Sequence, residues 1–155
     1  KAKRALRRAN KSGVKAQNKE GVGNGSFAAI HLLHDPQGLS EALLSQLRKS
    51  SDRFEVRVLL ISLISRLIGV HRLLVPAFYP YVGRYMQPHQ KEVASILAAA
   101  VQACHELVPP ETISPLISTL VTHFVSDKSR AEMIVVGLNT VREMCARVPL
   151  VMDGT

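Results

Sequence analysis

A chain of 155 residues that is 46% hydrophobic and 21% charged can bury one sizeable core, which excludes an intrinsically disordered protein. Its net charge of +8 is concentrated in one place: residues 1–20 hold eight of the twenty Lys and Arg but one of the twelve acids, so the remainder is nearly neutral. The longest run free of Asp, Glu, Lys and Arg, residues 112–126, is short of the roughly 20 residues that span a bilayer.

The first segment, KAKRALRRANKSGVKAQNK, carries Lys1, Lys3, Arg4, Arg7, Arg8, Lys11, Lys15 and Lys19 around a thin stripe of Ala2, Ala5, Leu6 and Ala9. So thin a stripe does not hold a helix alone, and two readings stand side by side: a solvated linker or nuclear-localisation signal, and an arm that orders on the phosphates of RNA. Gly21–Ser26, with three glycines in six residues, reads as a flexible hinge. No Gly-Lys-Ser/Thr comes after it, as a nucleotide loop would require. The expected organisation is therefore a flexible basic arm and hinge over residues 1–25 and a helical domain over residues 26–155. The chain starts at a lysine and stops just after Pro149, which suggests a piece of a longer protein.

Helical spacing dominates from residue 27 onward. Residues 27–33 read as a short apolar helix or turn, and Asp35-Pro36 then opens a helix with Leu39, Leu43, Leu44 and Leu47 on one side. Residues 54–70, FEVRVLLISLISRLIGV, are apolar nearly all round and call for cover on more than one side. In PAFYPYVGRYMQP, Pro80 allows only a kinked or late-starting helix. Residues 90–108 place Val93, Ile96, Leu97, Ala100, Val101, Cys104, Leu107 and Val108 on one stripe, between alanine-rich flanks that let neighbours approach closely. The next helix starts at Pro109-Pro110 with Ile113, Leu116, Ile117, Leu120, Val121 and Phe124, and has Pro115 awkwardly inside. The last, 130–147, is capped by Ser129 or Asp127 and carries Ile134, Val135, Leu138, Val141 and Cys145.

These segments repeat. Glu55-Val56, Glu92-Val93 and Glu132-Met133 open long helices at a period near 40, and the proline-bearing segments align Pro80 with Pro115. A proline-kinked helix alternating with a longer straight one is the pattern of HEAT or armadillo arrays, so the predicted fold is all-α, a HEAT/armadillo-like helical repeat solenoid.

Chemistry is scarce in the pattern. His31-x-x-His34-Asp35 has metal-like spacing but lacks the further ligands of a zinc site, and His105 beside Cys104 points about 100° away from it on a helix. Glu106 and Glu111 are separated by a proline pair. No catalytic, metal or cofactor site is therefore expected, and no cofactor. Both cysteines fall in apolar helical patterns, as small hydrophobes suited to a reducing compartment. Phe78, Tyr79, Tyr81 and Tyr85 could stack on bases, but aromatics at helical spacing more often pack between helices.

Several strings resemble one family: SFAAIHLLHDPQ at 26–37, FEVR at 54–57, FYP at 78–80, QPHQ at 87–90, QACHELVPPE at 102–111 and VGLNTVRE at 136–143. They resemble the Sda family, named for a severe actin-depolymerisation phenotype, over nearly all of residues 26–153. The resemblance implies a non-enzymatic, nuclear and nucleolar factor for assembly and export of the large ribosomal subunit. Such a factor is built of HEAT-like helices and rides on pre-60S particles in contact with ribosomal RNA, ribosomal proteins and other assembly factors. The basic arm matches the family only in charge. A HEAT-type nuclear transport receptor or adaptor is the competing expectation.

Overall fold

The computed structural model describes residues 29–126 and 129–149. The expected boundary between arm and domain, at residues 25 and 26, lies outside them, as does the whole basic arm. Residues 29–34 hold one helical turn, closed by Leu32 N–H on the Ala29 carbonyl at 3.2 Å, and belong to a separate unit from Asp35–Thr155. Within the latter, every regular element among the described residues is a helix.

Six helices succeed one another: α1 (Pro36–Lys49), α2 (Phe54–His71), α3 (Phe78–Gly83), α4 (Val93–Ala103), α5 (Pro110–Phe124) and α6 (Ala131–Arg147). Successive helices pair as α1 with α2, α3 with α4 and α5 with α6. Across pairs, α2 meets α4, α4 meets α6, and α3 meets α5. The result is a two-layered stack of helix pairs, with α1, α3 and α5 in one layer and α2, α4 and α6 in the other.

Each helix has local reasons for its limits. Asp35 caps α1 by accepting from Gly38 N–H at 2.9 Å, Pro36 occupies the first turn, and Arg48 and Lys49 face the negative end of the helix dipole. α2 stops where Arg72 enters the left-handed region at φ 52°, and both Arg72 and Leu73 N–H groups return to the Ile68 carbonyl. Pro80 sits within the first turn of six-residue α3, the late start that its missing N–H demands.

α4 is shorter than its apolar spacing predicts. Glu92 stands in a left-handed conformation at φ 56° and Cys104 is extended, so the helix covers Val93–Ala103 rather than 90–108. Beyond it the chain folds into a turn, with Val108 N–H on the His105 carbonyl at 3.0 Å. That turn buries Val108 but leaves Leu107, a member of the predicted stripe, 56% exposed. α6 also departs from expectation. Its cap residue is Arg130, without a side-chain capping bond; Ser129 instead pairs with Ser126 at 3.1 Å, and Asp127 lies outside the described residues. Its buried face is Gly137, Thr140 and Met144, whereas Val135 and Leu138 are more than half exposed. Glycine holds position 137 because α5 comes too close there for a side chain: a Cβ on Gly137 would stand 2.6 Å from Phe124 Cβ.

The core runs between the layers and is made of Leu47, Ile61, Ile64, Ile68, Phe78, Ile96, Ala100, Ile113, Leu120 and Phe124, each at most 1% exposed. α2 and α4 approach closely at Gly69, where an added Cβ would lie 2.3 Å from the Gln102 carbonyl oxygen. Ser65, fully buried at the same crossing, donates to Ser62 O at 2.9 Å and lies 3.2 Å from Gln102 Oε1. Helix α4 is thus covered by α2 on one side and α6 on another, as its alanines require.

Candidate functional site

The residues with the best claim to chemistry by sequence are occupied structurally. Asp35 is the α1 cap, committed to Gly38 N–H, and His31 and His34 belong to the separate unit that precedes it. Among the described residues no three His, Cys, Asp or Glu side chains gather as a metal-binding group. Cys104 is 2% exposed, its thiol lies 3.2 Å from the Ala100 carbonyl, and burial pushes its pKa up to about 12 from 9.0, against a smaller opposing pull from Arg147. A thiol held so firmly protonated is a poor nucleophile. His105 is engaged elsewhere: its Nε2 lies 2.9 Å from the Leu73 carbonyl, tying the turn after α4 to the end of α2. Glu106 pairs with Arg72 at the surface, while Glu111 lies in the first turn of α5, so the two carboxylates serve different elements.

The aromatic cluster is a packing device. Phe78, Tyr79 and Tyr81 are buried, and Tyr85 is half-buried. Phe78 and Tyr79 meet edge-on with centroids 5.8 Å apart, and the Tyr79 hydroxyl donates to the Ala103 carbonyl at 2.9 Å, pinning α3 to the last residue of α4. Burial raises the Tyr79 phenol pKa well above its usual value and that of Tyr81 to about 12. Neither ring can lie flat against a base. The eight arm cations expected to contact RNA, Lys1, Lys3, Arg4, Arg7, Arg8, Lys11, Lys15 and Lys19, lie outside the described residues.

What the fold does offer is surface. A mainly apolar cleft of about 520 Å³ separates α3 from α5, lined by Pro76, Pro80, Pro115 and Leu116 with Arg84 and Glu111 among its polar residues. A second, more polar cleft of about 400 Å³ gathers Arg72, Gln102, Glu106 and Arg147 where α2, α4 and α6 end. The sequence repeat aligns Pro80 with Pro115 but supplies no reason for either; the structure places both on the same cleft. No helix among the described residues is long and apolar enough to cross a membrane.

A stacked helical array without a catalytic constellation among its described residues is shared by many unrelated proteins, so sequence likeness decides its kinship. The family described as SDA1, HEAT repeat matches residues 1–155. The chain belongs to the SDA1 family. It is 55% identical over 130 residues to the Protein SDA1 homolog of Nematostella vectensis, covering 84% of this chain and 19% of that protein. The Drosophila melanogaster homolog is 43% identical over 148 residues, 95% of this chain and 21% of the relative. Protein SDA1 of Chaetomium thermophilum is 42% identical over 133 residues, 84% of this chain and 17% of its own length. The chain thus spans about a fifth of the SDA1 relatives it matches. For an SDA1 HEAT domain the two-layered stack of α1–α6 is the expected architecture, and the resemblance read from strings such as QACHELVPPE is confirmed.

Proposed function

We propose that this SDA1-family domain acts as a non-enzymatic scaffold in biogenesis of the large ribosomal subunit, riding on pre-60S particles in the nucleolus and nucleoplasm and supporting their maturation and export. The observation that carries the reading is the division of labour in the chain. A nearly neutral helical array, in which Asp35 caps a helix, Cys104 and the aromatic cluster are packed and His105 and Glu106 tie elements together, succeeds an arm with eight cations and one acid in twenty residues. An array of this kind offers extended surfaces to ribosomal proteins and other assembly factors, and the arm offers charge to ribosomal RNA. The protein acts through binding, with no cofactor and no small-molecule substrate.

The arm's share is measurable. If all eight cations meet phosphates, log Kd against log salt on large-subunit ribosomal RNA fragments has a slope of roughly 6 to 7 in magnitude, taking about 0.7–0.9 per contact. Deletion of residues 1–20 is expected to flatten most of that slope while leaving the helical circular-dichroism signal and its melting intact. An unchanged slope removes the arm from RNA binding.

A further inference from the structure

Charge in the helical body is divided unevenly between its two edges. At one edge the end of α1, the start of α2 and the end of α3 converge on a single corner. The Tyr81 hydroxyl lies 3.5 Å from the Leu47 carbonyl, the Phe54 and Tyr85 rings meet with centroids 6.1 Å apart, and Arg57 Nη2 donates to the Ser50 carbonyl at 2.8 Å. Arg48 and Lys49 lie between Leu47 and Ser50, Arg53 adjoins Phe54, and Arg84 adjoins Tyr85. The guanidiniums of Arg57 and Arg84 are both near enough to the Tyr81 phenol to oppose the rise in its pKa. Five cations thus gather at the corner, against the acids Asp52 and Glu55. At the opposite edge, where Arg72 pairs with Glu106 and His105 reaches the Leu73 carbonyl, the balance reverses: Asp35, Glu41, Glu106 and Glu111 stand against Arg72 and Arg147.

The fold itself does not use most of the corner's cations. Arg57 is spent on the Ser50 carbonyl, but Arg48, Lys49, Arg53 and Arg84 are exposed, and none of the four enters an ion pair or a side-chain hydrogen bond among the described residues. Helix dipoles favour Arg48 and Lys49 in the last turn of α1 but disfavour Arg53, which stands at the positive end of α2 without a side-chain capping bond. Of the two acids, Asp52 accepts from the Ser50 hydroxyl. The corner is therefore an open concentration of positive charge. Three of its four exposed cations are arginines, whose planar fork matches two phosphate oxygens at once. Phe54 and Tyr85 are engaged with each other at 48°, so the corner offers charge rather than a stacking platform for single-stranded bases. The cleft of about 500 Å³ that Arg48 and Lys49 also border carries Glu41, which repels an acidic side chain entering there.

We infer that the corner formed by the end of α1, the start of α2 and the end of α3 is a contact site for the phosphate backbone of double-helical RNA, with Arg48, Lys49, Arg53 and Arg84 as its cations. These are additional to the cations of the arm and belong to the folded body. The paired phosphate rows of a duplex suit charges spread over three helix ends, and contact of this kind follows shape and charge without reading sequence. The inference rests on the scaffold reading only for the source of the phosphate.

The test measures binding of the whole chain to a duplex RNA of arbitrary sequence, by fluorescence anisotropy over a salt series. One variant carries Arg48→Gln, Lys49→Gln, Arg53→Gln and Arg84→Gln. A second removes the same charge elsewhere, through Arg66→Gln, Arg72→Gln, Arg142→Gln and Arg147→Gln, and a third keeps the charge, through Arg48→Lys, Arg53→Lys and Arg84→Lys. Circular dichroism checks each fold. The first variant is expected to lower the slope of log Kd against log salt by about 3, at about 0.7–0.9 per lost contact, and to weaken binding roughly tenfold or more. The other two should stay within about one contact of the parent slope. No loss in the first variant, an equal loss in the second, or a third variant as weak as the first overturns the proposal. So does an acidic peptide of equal charge that displaces the duplex and depends on the same four residues more strongly than RNA does, which would assign the corner to a protein. Because the probe is an arbitrary duplex, failure here strikes the corner alone; the scaffold reading fails on the absence of precursor RNA from the protein purified from cells.

Discussion

Glycine at position 69 illustrates how much of this fold is decided by what is missing from a side chain. α2 and α4 cross so closely there that an added methyl would meet the Gln102 carbonyl at 2.3 Å, and a backbone oxygen inside a helix has little room to yield. Gly69→Ala is therefore expected to destabilise the domain by about 1–3 kcal/mol, although alanine is the better helix former, because overpacking outweighs propensity. Urea denaturation followed by circular dichroism measures it; unchanged or greater stability would contradict the crossing. Cys104 makes a second prediction. Its thiol titrates near 9.0 when exposed and at about 12 in the fold, so its contribution to stability is complete below pH 9 and is lost progressively as pH rises toward 12. Stability of Cys104→Ala should fall less steeply over that alkaline range than that of the parent, and equal slopes would show that the thiol does not feel the core. The spacing of its apolar neighbours marks Cys104 as a small buried hydrophobe, and that is where it sits. No such pattern reveals the Gly69 crossing, because a close approach depends on the angle between two helices that are distant in sequence.

Among the elements, α4 meets three others, since α2, α3 and α6 all rest against it. Its buried residues, Ile96, Leu97, Ala99, Ala100 and Ala103, are mostly too small to contribute much area individually, but they let three neighbours converge. Ala100 is fully buried, so Ala100→Glu forces either an unpaired carboxylate into the core or the helices apart. The expected outcome is loss of more than about 4 kcal/mol or failure to fold. A soluble variant with the parent's denaturation midpoint would refute the central placement of α4. Periodicity alone locates this helix and its buried stripe. It overruns the C-terminal end because Cys104, Leu107 and Val108 keep helical spacing while the backbone has already turned, held by the His105 ring on the Leu73 carbonyl. Spacing identifies residues that share a face; it does not register a bond that draws the chain off the helix. In α6 the same logic misleads differently. Val135 and Leu138 are apolar and periodic yet exposed, and the buried positions go to Thr140, Met144 and Gly137, at the last of which Phe124 leaves no space for a side chain. Apolar spacing weighs hydrophobicity, whereas this contact is decided by size.

At the scale of the molecule, the repeat is legible because it is written twice, in the long helices beginning at Phe54, Val93 and Ala131 and in the aligned prolines of α3 and α5. The family is legible for another reason: strings such as QPHQ and LVPPE occur where proline, histidine and turn residues interrupt the helices, and these are far more particular than apolar stripes. The cleft between α3 and α5 is only half legible. Both prolines stand out as anomalies, but that they share one groove is a consequence of stacking, which brings residues 35 positions apart onto one surface. The function proposed for this SDA1-family domain depends on the full-length protein associating with nascent large subunits. The most direct measurement is purification of the tagged full-length protein from cells at gentle salt, with sequencing of the RNA that accompanies it. Strong enrichment of large-subunit precursor RNA together with its ribosomal proteins is the expected result; recovery of the protein without that precursor would contradict a scaffold on the pre-60S particle.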